Sequence, residues 1–100
     1  MSKIEKSHTF DQDEALARMQ ALTTYWKKHD IATEWKDMTC TLKGKFKGMS
    51  FEGELVVEAN TVRAAVKANL IARKMGSAYV QGKIADYLDP KYTLEALQAR

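Results

Sequence analysis

Residues 38–57 read MTCTLKGKFKGMSFEGELVV. On each side of Lys47-Gly48, most of the apolar residues of this stretch are two or four positions apart and therefore share one parity, odd or even. The residues of that apolar parity are Met38, Cys40, Leu42, Phe46, Phe51, Leu55 and Val57. A period of two is typical of a β-strand that buries one face and leaves the other face in water. The run therefore predicts two antiparallel strands joined by a turn at Lys47-Gly48.

The neighbouring segments continue the same period. Ile31, Thr33 and Trp35 share one parity before a Lys36-Asp37 turn, and residues 62–68 alternate after a turn at residues 58–60. The connections are too short for the crossovers that parallel strands require. The pattern predicts a four-stranded antiparallel meander that is covered on one side.

Helical periodicity flanks the predicted sheet. Asp11 is a suitable N-cap, with Glu14 three residues later, and it precedes a helix predicted over residues 12–29. The apolar stripe of this helix consists of Ala15, Met19, Leu22 and Trp26. A second helix is predicted over residues 72–88, because Asp89-Pro90 cannot continue it.

Together these elements predict an α+β fold. Its parts are a short N-terminal strand, a helix, a four-stranded antiparallel meander and a long C-terminal helix packed on one sheet face, as in half of a helix-grip domain. A chain of 100 residues is long enough for one domain with one core. We assign that domain to residues 1–90 and expect residues 91–100 to form a tail or a short helix capped at Thr93.

The second helix carries apolar residues on two sides. Met75 and Tyr79 point one way, and a second group points largely the other way: Val80, Ile84, Tyr87 and Leu88. A second apolar face that no part of the chain covers would form an interaction surface. We expect this second group to contact a partner, such as another copy of the chain in a homodimer.

A second hypothesis places an apolar groove between the helices and the sheet. Its lining would be Met19, Trp26, Phe51, Leu55, Val66, Met75 and Tyr79. Between the two we favour a filled core, since a small domain has little buried surface to give up and methionine packs irregular gaps well.

Charge and composition exclude several classes of protein. The chain has 16 Lys and Arg against 13 Asp and Glu, a net charge of +3, which is sparse for a nucleic-acid surface. The aromatic residues of the predicted strands lie on the face that the helices cover, so an RNA-binding module with exposed rings for base stacking is disfavoured. The charged first residues lack the apolar run of a secretion signal, and no stretch approaches the length of a membrane helix. These features predict a cytoplasmic protein without a membrane span.

Residues that could carry chemistry are few and scattered. His8, His29 and Cys40 do not have the spacing of a metal site, so neither a metal nor another cofactor is expected. Cys40 lies on the covered parity, which predicts a buried and inert thiol. Glu52 and Glu54 lie on the wet parity, where pairing with lysines is expected. No acid, base and nucleophile group emerges, so we predict that the protein is not an enzyme and has no catalytic residues.

The order of elements coincides with several local motifs. These are His8-Thr9-Phe10, Glu14-Ala15, Trp35, the segment 48–53, the segment 62–66 and the segment 84–89. Over about residues 3–90 the chain resembles the polyhydroxyalkanoic acid system protein family, small bacterial proteins of about this length. The resemblance implies a setting near polyhydroxyalkanoate granules and supplies no catalytic residues; the segment after Pro90 departs from the family pattern.

Two functions are consistent with the resemblance. The first is a non-enzymatic accessory protein that binds the granule surface or a granule-associated protein through the second helix, and so localises partly to granules. The second is a carrier that holds an acyl or hydroxyacyl chain in the groove between helix and sheet.

Overall fold

A computed structural model describes residues 2–46, 48–68 and 70–100. Its elements are β1 (Ser2–Ser7), α1 (Gln12–Lys27), β2 (Ala32–Lys36), β3 (Thr39–Phe46), β4 (Met49–Val57), β5 (Thr61–Lys67), α2 (Leu70–Tyr87) and α3 (Leu94–Gln98). The strands form one antiparallel sheet in the order β1-β5-β4-β3-β2. The α+β class with an antiparallel sheet is confirmed. The predicted turn residue Lys47 and the side chain of Phe46 lie outside the described residues.

The structure corrects the predicted architecture at both ends of the chain. The predicted N-terminal strand joins the same sheet as the four strands β2 to β5 and makes it five-stranded, because all of β1 pairs with β5, with Ile4 opposite Ala64. The long helix predicted over residues 72–88 is α2, which ends at Tyr87 before Asp89-Pro90. It is not the last helix, because Thr93 starts the short α3 by accepting a hydrogen bond from the backbone N–H of Ala96.

Strand register brings the apolar parity of each strand onto one face. Cys40 lies opposite Leu55, and Leu55 lies opposite Ala64, so one apolar row crosses the sheet. Helix α1 packs on β2 and β4, and helix α2 packs on β1, β4 and β5. The core therefore lies between this face and the two helices, while the other face remains in water.

The start of α1 follows the sequence prediction. Asp11 accepts a hydrogen bond from the backbone N–H of Glu14 at 2.7 Å, as an N-cap does. The helix ends at Lys27, two residues before the predicted boundary, and Asp30 has a φ of 66° in the turn that follows. Trp26, in the last turn, is 1% exposed and packs in the core.

Arg18 is a buried cation on α1 that the sequence analysis did not identify. Only 3% of the residue is exposed. Its guanidinium pairs with Glu14 at 3.0 Å and donates to the backbone carbonyls of Tyr87 at 3.1 Å and Tyr92 at 2.9 Å. It also lies 4.0 Å from the centre of the Phe10 ring. Arg18 thus joins α1 to the end of α2 and to the loop that leads into α3.

Candidate ligand-binding cavity

A cavity of about 220 Å³ lies between the end of α1, the middle of α2 and the sheet. Among the described residues it is lined by Tyr25, Trp26, His29, Ile31, Leu42, Lys45, Phe51, Val66, Gly76, Tyr79 and Val80. Most of this lining is aromatic or aliphatic. Such a wall favours an apolar guest.

Aromatic residues of the two helices form one wall of the cavity. The indole Nε1 of Trp26 donates a hydrogen bond to the hydroxyl of Tyr79 at 3.2 Å, and the two rings are tilted by 37°. Tyr25 lies against His29, with ring centres 4.6 Å apart. The wall is therefore held by a contact between the two helices and by a contact between α1 and the turn that follows it.

Gly76 lines the cavity, and Gly44 lies beside the ring of Phe51, which also lines it. Gly76 on α2 faces β5, where a Cβ atom would lie 3.6 Å from Cγ1 of Val66, so a longer side chain would extend into the cavity. Gly44 on β3 pairs with Phe51, whose ring comes within 3.3 Å of the position that a Cβ would take. The Phe51 ring can therefore lie across the β3 backbone and close one side of the cavity.

The ionisable side chains in the described lining of the cavity include a lysine and a histidine and no carboxylate. His29 and Lys45 line it, and the described part of the lining contains no aspartate or glutamate. The Nζ atom of Lys83 lies 4.7 Å from the ring centre of Tyr25 and 6.0 Å from that of Tyr79, both of which line the cavity. An apolar cavity with cationic neighbours suits a guest with an apolar body and a negative end.

The structure gathers part of the predicted apolar groove. Trp26, Phe51, Val66 and Tyr79 line the cavity together. Met19 and Leu55 are instead fully buried in the core, and Met75 is half-buried and absent from the described lining.

Several residues that line the cavity lie outside the groove predicted from the sequence. Tyr25 lines the cavity from the last turns of α1, and His29 and Ile31 line it because the chain turns back toward the sheet after α1. Gly76 could have been identified as a lining residue, because a glycine inside a helical pattern often marks a place where another element packs closely or where the packing leaves space.

The predicted interaction surface on α2 needs correction. Ile84 and Tyr87 are 0% exposed, Val80 and Leu88 are 5% exposed, and all four belong to the core. The reason is that α2 is covered on more than one side, by the sheet and by α1, while the guanidinium of Arg100 lies 5.1 Å from the centre of the Tyr87 ring. Val80 meets the cavity, and a protein partner cannot reach Ile84, Tyr87 or Leu88 without opening the core.

The other candidate groups are engaged elsewhere. Cys40 is 0% exposed, as predicted, and burial raises the pKa of its thiol, so the reactive thiolate is disfavoured. The Nε2 atom of His8 lies 3.2 Å from the carbonyl oxygen of Glu58, which ties the β1–α1 connection to the β4–β5 turn. In residues 2–46, 48–68 and 70–100, no three side chains of the metal-ligating types come together.

The wet face of the sheet carries both signs of charge. Lys43 pairs with Glu52 at 3.8 Å, and Arg63 pairs with Glu5 at 2.9 Å and with Glu58. The Lys43–Glu52 pair is the cross-strand pairing that the sequence predicted, whereas Arg63 pairs with Glu5 on β1 and with Glu58 just after β4. Separately, none of the described helices combines the length and apolar character that crossing a bilayer requires.

Comparison with known proteins finds a matching protein family. A family model described as "Putative polyhydroxyalkanoic acid system protein" matches residues 3–91. The matched range contains all the described residues that line the cavity and ends before α3. No curated protein and no solved structure gives a significant match.

Proposed function

This chain belongs to the polyhydroxyalkanoic acid system protein family, and on that premise we propose that it is a non-catalytic accessory protein that binds an acyl or hydroxyacyl chain. The chain would occupy the cavity between α1, α2 and the sheet. The family name suggests the source of such chains, because polyhydroxyalkanoates are polyesters of hydroxyacids. The granule surface or a granule-associated protein is where the proposed protein would take up or deliver its guest.

One observation carries this proposal: the aromatic-lined cavity of about 220 Å³. Ligand cavities for drug-sized molecules have volumes of about 300–1,000 Å³, so this one fits a smaller guest such as a short acyl chain. A cavity of this kind inside a 100-residue domain gives up packing that the core could otherwise use. Retention of the space is consistent with a role in binding.

Binding through the second face of α2 is less well supported. The residues that would have formed that surface are buried within the chain, whereas the cavity is an open site. The absence of catalysis also belongs to the proposal. It is supported by the buried state of Cys40 and by the engagement of His8 with a backbone carbonyl.

The test uses two glycines of the same helix. Gly76 faces the cavity, whereas a Cβ at Gly82 would meet nothing within 4 Å. Gly76→Leu should fill the cavity and abolish binding, and Gly82→Leu should keep it, although both changes raise helix propensity. Binding is measured by calorimetry and by the ligand-induced rise in melting temperature with octanoate and 3-hydroxyoctanoate.

The expected result is a melting temperature that rises with ligand concentration for the unmodified chain and for Gly82→Leu only. Equal binding by Gly76→Leu and Gly82→Leu would place the guest outside the cavity and overturn the proposal. No binding of either acid by the unmodified chain would overturn it as well.

A further inference from the structure

We infer that the cavity selects chains that end in a free carboxylate, with Lys45 and His29 as the groups that recognise the negative end. This inference rests on the proposed function and adds the class of ligand to it. The ligand class is therefore an aliphatic or hydroxyaliphatic carboxylic acid, as opposed to a neutral ester or alcohol of the same chain length.

The first argument is the composition of the cavity wall. Lys45 and His29 are exposed residues that also line the cavity, so each can reach both the guest and the solvent. No carboxylate side chain belongs to the described lining. A negative end placed here would meet the ammonium of Lys45 and an imidazole that can donate a hydrogen bond, without a competing carboxylate in the described lining, and the salt dependence of binding should show the attraction to Lys45.

The second argument is the position of Lys83. Its ammonium lies over the ring of Tyr25 at 4.7 Å, and Tyr25 in turn lines the cavity. Lys83 therefore adds positive potential behind the aromatic wall. A neutral chain end would gain nothing from this arrangement, whereas a carboxylate would.

The third argument is the amphipathic division of the site. Trp26, Phe51 and Val66 supply an apolar interior from α1, β4 and β5, and the groups that can carry charge are on exposed residues. A fatty acid has the same division, with a long apolar body and one charged end. The site and the ligand class thus match in shape and in charge.

The experiment compares octanoate, methyl octanoate and 1-octanol by calorimetry at low and high salt. The variants are Lys45→Gln, His29→Gln and the double variant. Lys36→Gln is the matched control, since Lys36 is exposed on β2, is absent from the described lining and makes the same change in charge as Lys45→Gln.

We expect octanoate to bind more tightly than the alcohol and the ester at low salt and to lose this advantage at high salt. Lys45→Gln should weaken octanoate by about two- to fivefold, and the double variant by about tenfold, as expected for partly exposed charge pairs. Binding of the alcohol should change little in any variant. Lys36→Gln should leave all three affinities unchanged.

Equal affinity for octanoate and 1-octanol, with no effect of Lys45→Gln or His29→Gln, would overturn this inference and leave the proposed binding of apolar chains intact. If none of the three probes binds, both the inference and the proposed function are overturned.

A further experiment separates the sources of the carboxylate. A free 3-hydroxyacid and a short polyester that ends in a free acid should both bind, whereas the methyl ester of that polyester should bind more weakly.

Discussion

The indole Nε1 of Trp26 donates to the hydroxyl of Tyr79 across 3.2 Å, and this hydrogen bond joins α1 to α2 at the wall of the cavity. Trp26 is almost fully buried, so its N–H is satisfied by the protein and not by solvent. The same two rings line the cavity. One contact thus supports both the packing of the helices and the shape of the site.

Tyr79→Phe should lower the free energy of unfolding by about 1–2 kcal/mol, because it leaves a buried N–H without its acceptor. Urea denaturation measures the loss. Trp26→Phe and the double variant complete a cycle, in which we expect a coupling energy of about 0.5–1.5 kcal/mol. If the two single losses simply added, the hydrogen bond would contribute nothing to the fold.

Arg18→Met should lower the free energy of unfolding by about 2–4 kcal/mol. The change removes the donor to the carbonyls of Tyr87 and Tyr92 and leaves Glu14 without its partner. Lys27→Met is the control, since Lys27 is an exposed cation on the same helix and should change stability by less than about 0.5 kcal/mol. Equal losses in the two variants would show that the bonds of Arg18 do not hold α1 to the end of α2.

Gly82→Ala and Gly76→Ala should each raise the free energy of unfolding by about 0.5–1 kcal/mol, because glycine inside a helix is entropically unfavourable. Space permits both changes: a Cβ at Gly82 meets nothing within 4 Å, and one at Gly76 makes an ordinary contact with Val66. Melting temperature should rise by about 4–8 °C for each kcal/mol.

Gly53→Ala provides the opposite case. A Cβ at Gly53 would lie 3.1 Å from the backbone carbonyl oxygen of Ala65, which cannot move without disturbing the sheet. We expect a loss of about 1–3 kcal/mol in the same melting experiment. A stabilised Gly53→Ala variant would mean that β4 and β5 are further apart than the structure shows.

Alkaline pH should destabilise the protein in part through Cys40. Burial raises the pKa of this thiol above its ordinary value of 9.0, so the folded state keeps a proton that the unfolded state releases. This contribution to stability is complete below pH 9.0 and declines as the pH rises above it. Urea midpoints measured from neutral to alkaline pH should fall, and Cys40→Ala should fall less steeply.

Part of the alkaline decline should remain in Cys40→Ala. Burial also raises the pKa of the Tyr87 phenol above 10.0, although Arg100 opposes this shift.

Labelling with a thiol reagent offers a second check on Cys40, with slow reaction in buffer and fast reaction in urea. Identical pH profiles for the unmodified chain and Cys40→Ala would contradict the role assigned to this thiol.

Local pattern was enough to predict much of the fold. The Asp11 cap, the buried Cys40 and the wet pairing of Lys43 with Glu52 all follow from features that lie close together in sequence or share one parity. These are consequences of helix and strand geometry, which repeats over two to four residues. The long-range pairing of β1 with β5 was not predicted, because the weak alternation of residues 3–9 does not indicate which strand they pair with.

The candidate site was predicted only in part for a related reason. Periodicity showed that Val80 and Ile84 face away from Met75 and Tyr79, but it could not show what covers each side of α2. In the structure, the side of α2 that carries Val80 and Ile84 is covered by other parts of the same chain, so the predicted interaction surface belongs to the hydrophobic core. Arg18 escaped notice because its partners are backbone carbonyls about seventy residues away.

By itself, the order of apolar and polar residues determined which segments become helices and strands. It also determined which face of each element is buried, because both properties depend on residues only a few positions apart. Only the tertiary structure decided that Gly76, Trp26 and Phe51 would leave space between them and that Lys45 and His29 would border it. The physical reason is that a cavity belongs to the gap between packed elements, and the size of that gap depends on how distant side chains fit together.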